Sequence, residues 1–163
     1  MKLIYQKLFI PFLLLQGFLF AHCQVPCGIY NDAARIVQLQ EDFATIQKAM
    51  NKIKNLSLKK DATSMNQMTR WIMTKEDHAS KIQEVVSDYF LTQRIKEKPK
   101  GPDYVLYVNQ TTILHQILVA AMKCKQTVDP GKVKHGLKLI DSFINLYFDA
   151  HGKDHIQKLS GSN

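Results

Sequence analysis

IVQLQEDFATIQKAMNKI, residues 36–53, places Ile36, Leu39, Phe43, Ile46, Met50 and Ile53 at alternating steps of three and four. That spacing draws an apolar stripe along one side of a helix, whereas a half-buried strand would alternate every second residue. Asn31 and Asp32 stand just ahead of the stripe and carry side chains suited to capping a helix start.

Three more stretches share this period. Met65, Met68, Ile72, Lys75, Ala79, Ile82, Val86 and Tyr89 form a second seam, in which Lys75 is the misfit and is expected to snorkel or face a solvated notch. KEKPKGPD, residues 96–103, holds two prolines and a glycine and reads as a connection. A third helix is expected from near Tyr104 or Asn109 to Lys125, with Ile113, Leu114, Ile117, Leu118 and Ala121 apolar. Asp129-Pro130 then gives a cap followed by proline at the first helical position. The fourth seam is Val133, Leu137, Ile140, Ile144, Tyr147 and His151, with Gly152 expected to stop it and the remaining tail polar. Four amphipathic helices, short joins and no convincing strand predict an all-α fold, an antiparallel four-helix bundle in a single domain.

The chain has 163 residues and a formal charge of +8. Residues 1–21 carry Lys2, Lys7 and no acid, then an apolar run from Leu8 to Phe20, and end on Ala21. This is the pattern of a cleavable signal peptide, too short for a comfortable membrane span of about 20 residues. Its removal lowers the charge to +6, since it holds two lysines and no acid. An exported product, periplasmic or extracellular, with no stable membrane anchor after cleavage, is the expectation. In a lipoprotein a small residue would precede Cys23, where His22 stands. The lysines are scattered over helical faces and no nucleic-acid module is recognisable, so no nucleic-acid partner is expected.

Directly behind the leader comes HCQVPCGIY, residues 22–30. Cleavage after Ala21 frees the α-amine of His22, which with a pKa of about 7.7–8.0 is partly neutral and ligating near neutral pH. That amine, the backbone amide of Cys23 and the thiolates of Cys23 and Cys27 make a planar N2S2 set, with the His22 imidazole available as an axial fifth ligand. Planar nitrogen and sulfur donors suit Ni(II) or Cu(II), and electron-rich thiolates bring a higher oxidation state within reach. Pro26 and Gly28 suit the tight turn. Tyr30 ends the loop with a phenol that would line the approach to the metal, or simply pack at the helix start. A Cys23–Cys27 disulfide is the competing use of the same thiols, and a zinc site would need a fourth side-chain ligand. Cys124, among Ala120, Ala121 and Met122, reads as a small core residue.

These residues resemble a known family. His22-Cys23-x-x-Pro26-Cys27-Gly28-x-Tyr30 behind a removable leader is similar to the nickel hook of nickel-containing superoxide dismutase. TRWIMTKEDHASKIQEVVSDYF, with Ser87-Asp88-Tyr89-Phe90, resembles that family's second-helix region, and Leu114-His115-Gln116 and Asp129-Pro130 follow in the expected order. The resemblance implies an oxidoreductase that disproportionates superoxide to dioxygen and hydrogen peroxide at a nickel ion, one per subunit, cycling between Ni(II) and Ni(III). It implies His22, Cys23 and Cys27 as metal ligands, and Tyr30 and Tyr89 as residues that position water and restrict access. A homohexamer of four-helix-bundle subunits is implied as well. The hook is then residues 22–30 of a domain spanning residues 22–163. Four positions depart from the family pattern: Gln24 for an aspartate, Val37 near a glutamate that supports the axial histidine, His78 for an arginine, and Leu91 for a lysine. His78 becomes a candidate supporter of His22, and the cationic surface an attractor of anionic superoxide. The alternatives are a secreted helical module binding nickel or copper without turnover, and a small disulfide-stapled interaction protein.

Overall fold

A computed structural model describes residues 30–161. The leader and the residues His22, Cys23 and Cys27 therefore lie outside the described residues. Asn31–Asn163 forms one compact unit, and Tyr30 belongs to the other. Among the described residues the chain is all-helical, with five α-helices, one π-helical segment and no strand.

Helix α1 spans Asp32–Leu56, and Asn31 caps it by accepting a hydrogen bond from the Ala34 N–H at 3.0 Å. Its seam is buried as the spacing predicts, with Ile36, Leu39, Phe43, Ile46 and Met50 fully inaccessible. Helix α2 spans Ala62–Glu84 and starts at Asp61, which accepts from both the N–H and the hydroxyl of Ser64. It runs straight into the π segment, Val85–Arg94. Helix α3 covers Tyr104–Lys125 and α4 covers Pro130–Tyr147, the latter with Pro130 in its first turn behind the capping Asp129, as read from the sequence. Helix α1 packs on α2 and α4, α3 packs on α2 and α4, and so the contacts close a ring.

Three features differ from the sequence reading. Met65 and Ile72 are exposed, so the second seam enters the core only from Lys75 onward. The reason is that α3 ends at the level of Lys75, leaving the first turns of α2 without that neighbour. Lys75 itself does not snorkel. It is 4% exposed and its Nζ donates to the carbonyls of Cys124 at 3.0 Å, of Lys125, and of Thr127 at 3.5 Å, closing the C-terminal end of α3. In the last seam, the buried stripe is Val133, Gly136, Ile140 and Phe143. A glycine hides that stripe from any reading by hydrophobicity, and it is there for space: a Cβ on Gly136 would lie 2.3 Å from Cζ of Phe43.

The fourth helix also stops earlier than expected. Phe148 is extended, Asp149 accepts from the Gly152 N–H at 2.8 Å, and a fifth helix, α5 (Ala150–Ser160), follows. Gly152 is thus inside a helix, and His151 belongs to α5. The tail expected to be merely polar packs on α1 through the buried Ile156.

Candidate functional site

Asp32 is the first residue of α1 and five positions past Cys27. Its carboxylate collects three partners from distant parts of the chain. The Tyr89 hydroxyl donates to Oδ1 at 2.6 Å and the Tyr147 hydroxyl to Oδ2 at 2.7 Å. Arg94 adds Nε at 2.9 Å and 3.0 Å to the two oxygens, and a terminal nitrogen at 2.7 Å. An anion in the first turn of a helix is also favoured by the helix dipole.

The π winding explains how Tyr89 and Arg94 reach the same carboxylate. In an α-helix residues five apart point about 140° away from each other, at about 100° per residue. In a π-helix the backbone bond joins residues five apart, which places them one above the other. The register is visible in three bonds across five positions: Ile95 N–H to Phe90 carbonyl at 2.8 Å, Thr92 hydroxyl to Ser87 carbonyl at 2.7 Å, and Gln93 amide to Asp88 carbonyl at 2.9 Å.

Around this knot the walls are aromatic. Phe90 meets Tyr89, Phe143 and Tyr147 edge to face at centroid distances of 5.1, 5.1 and 5.9 Å. The Arg35 guanidinium lies over the Tyr89 ring, 5.4 Å from its centroid, a cation–π contact.

The electrostatics follow from these contacts. Burial pushes the Asp32 carboxyl up, but hydrogen bonds from Arg94, Tyr89 and Tyr147 more than offset it and hold the group below its ordinary value. Burial, then the neighbouring Asp32, pushes the Tyr89 phenol well up, and the same causes take Tyr147 to about 12. Both phenols therefore keep their protons at neutral pH, with those protons directed at Asp32.

Of the site residues read from the sequence, Tyr89 is thus placed in a built environment, 4% exposed. Tyr30 is described but lies in the other unit, 40% exposed. His22, Cys23 and Cys27 lie outside the described residues. Asp32, Arg94 and Tyr147 were not singled out as site residues by sequence: Asp32 looks like a capping residue, and its partners are 57, 62 and 115 positions away.

His78 has a partner within the unit. Its Nδ1 lies 2.6 Å from Oδ1 of Asp42, and Asp42 is 5% exposed with Oδ2 unpaired. Burial raises the Asp42 carboxyl, and the His78 bond only partly counters it. Any contact of His78 with His22 lies outside the described residues. Cys124 is a buried free thiol pushed up by burial to about 11, an inert core residue as read from the sequence. Among the described residues no three histidine, cysteine or acidic side chains come together to hold a metal. The donor set of residues 22–27 lies outside the described residues; an amine, an amide, an imidazole and two thiolates suit nickel by their chemistry.

A sequence model of the family described as nickel-containing superoxide dismutase matches residues 19–151, which takes in the hook, Asp32, Tyr89, Arg94 and Tyr147. Searches of curated proteins and of solved structures find no match to the chain.

Proposed function

Because the chain belongs to the nickel-containing superoxide dismutase family, an oxidoreductase family with a nickel cofactor, we propose that it disproportionates superoxide at a single nickel held by residues 22–27. One superoxide gives up an electron and leaves as dioxygen. A second takes up that electron with two protons and leaves as hydrogen peroxide. Nickel in a field of thiolates and an amide supplies the one-electron couple, Ni(II)/Ni(III). The ligands are the His22 amine and imidazole, the Cys23 amide and thiolate, and the Cys27 thiolate. The His22 amine becomes a ligand only when residues 1–21 are removed, so the mature domain begins at His22 and is exported.

The observation that carries this reading is the seat of Tyr89. Only four residues stand between Cys27 and Asp32 in the sequence. Asp32 fixes the Tyr89 phenol, with its proton directed at the carboxylate. A phenol so held keeps one orientation, and we assign it, with Tyr30, to positioning water and restricting access. Its chemistry is positioning, and it does not surrender a proton at neutral pH.

The ring of helices supports a four-helix-bundle subunit with α5 added on α1. The outer side of α3 supports a homo-oligomer, a hexamer in line with the family resemblance. Val105, Val108 and Met122 are 65%, 38% and 40% exposed and fall on one stripe at steps of three and four with Thr112, His115 and Val119. By length and composition α3 could also cross a membrane, but its inner residues Leu114, Ile117 and Ala121 are fully buried on neighbouring helices. We assign the outer stripe to a second copy of the chain.

The deciding experiment is superoxide consumption by nickel-loaded protein beginning at His22, beside Cys23→Ser and Cys27→Ser. Catalytic turnover and a planar nickel absorption spectrum are expected, both lost in each variant. Full activity with either thiol gone would overturn the reading, and stoichiometric nickel binding without turnover would turn the protein into a metal-binding module.

A further inference from the structure

Arg94 faces two ways. Its Nε and one terminal nitrogen hold Asp32, and the same side chain lines a solvent-open cavity of about 340 Å³. Lys96, Lys98, Asp103, Tyr107 and Gln110 complete the polar lining. The cavity lies between the end of the π segment, the connection after it and the start of α3.

Two properties set this cavity apart from an ordinary basic surface. Its charge is lopsided: Lys96 and Lys98 oppose Asp103 alone, since Asp32 already neutralises Arg94. Its wall is also stiff, because Pro99 and Pro102 restrict the connection that carries the lysines, which lowers the entropy lost when a ligand is bound. Two lysines, a guanidinium, a phenol and an amide lining a space of this size match a phosphate group in charge and in hydrogen-bonding capacity.

We propose that this cavity binds a phosphate group, free or carried on a small molecule, and that its occupancy is felt at Tyr89 through Arg94 and Asp32. Phosphate drawn toward Arg94 competes with Asp32 for the guanidinium. Asp32 then holds Tyr89 with one fewer partner sharing its charge, and the phenol shifts. The proposal stands on the described residues alone and does not depend on nickel or on turnover.

The test is calorimetric titration of the full chain with inorganic phosphate and, separately, with glycerol phosphate, at ionic strength held constant with sodium chloride. Saturable binding of at least one of them to a single site is expected. Binding of both, or of one alone, distinguishes the free anion from the ester as the natural occupant. The double variant Lys96→Gln/Lys98→Gln, which alters two exposed residues outside any helix, weakens binding by about tenfold or more, the loss of at least one charged hydrogen bond. Asp103→Asn tightens it by removing the opposing acid. No saturable binding of either probe, or binding untouched by the lysine changes, overturns the site. The link to Tyr89 is read in the near-ultraviolet circular dichroism of tyrosine. Phosphate changes that signal in the parent chain, and the change is smaller in Tyr89→Phe, where Tyr107 in the lining and Tyr147 on Asp32 still respond. An identical response in Tyr89→Phe overturns the link.

Discussion

Arg94 grips Asp32 in a fork: Nε is 2.9 and 3.0 Å from the two carboxylate oxygens and a terminal nitrogen is 2.7 Å from one of them. The pair is largely shielded, with 15% of the Asp32 side chain and 28% of the Arg94 side chain exposed. Bidentate pairs of this kind fix orientation as well as charge. Here the orientation is that of α1's first turn.

Asp32→Asn keeps the shape and removes the charge, and is expected to destabilise the fold by about 2–3 kcal/mol, measured by urea unfolding at pH 7. A pH signature accompanies it. The folded carboxyl lies below its ordinary value of 3.8, so its contribution is fully present above that value and is lost as pH falls through the lower folded one. The parent protein therefore loses melting temperature in that acid range, and Asp32→Asn loses less. Equal acid slopes in the two proteins would contradict the geometry.

Lys75→Met conserves length and removes the ammonium that closes α3. The carbonyls of Cys124, Lys125 and Thr127 then lose a shared donor. A loss of about 1–3 kcal/mol is expected. Faster hydrogen exchange is expected at the last turn of α3 and unchanged exchange at its first. A uniform change along α3 would show that Lys75 acts through the core and not through that helix end.

Gly136→Ala improves helix propensity by about 1 kcal/mol yet is expected to destabilise by about 1–3 kcal/mol overall. The new methyl meets the Phe43 ring at 2.3 and 2.4 Å. Phe43→Leu in the same chain returns part of that loss, because the two sites share one space. Simple additivity in the double-variant cycle would show that the clash is relieved elsewhere.

A chain that keeps one extra residue ahead of His22 has an amide where the free amine should be. It is expected to lose the planar nickel absorption while its helical circular dichroism and melting temperature without metal stay unchanged. Intact mass and nickel titration of the two forms decide the matter, and equal nickel affinity would remove the amine from the ligand set.

The periodic parts of this fold were legible because burial repeats with the helix. Ile36 to Met50, the capping Asn31 and the Asp129-Pro130 start of α4 needed nothing beyond local pattern. The misses share a cause, in that each depends on a partner far along the chain. Lys75 reads as a flaw in a stripe until the end of α3 arrives beside it. Gly136 reads as a weak spot until Phe43 fills the space. The π register of Val85–Arg94 leaves no trace in composition, and with it the meeting of Tyr89 and Arg94 was out of reach. Asp149 is different: a capping residue stood there, and Gly152 three positions on was read as a stop although it provides the N–H that the cap accepts. The donor set of residues 22–27 is readable for the opposite reason, since amine, amide and thiolates lie within six consecutive residues and need no fold to be noticed, and it lies outside the described residues.

Asp32 waits for Tyr147, 115 positions further along the chain, to complete its set of partners. The first turn of α1 thus acquires its final anchorage only once α4 has been made. A helix start secured so late imposes an order on folding: the helices assemble first, and the beginning of the first one is tied down by the last turn of the fourth.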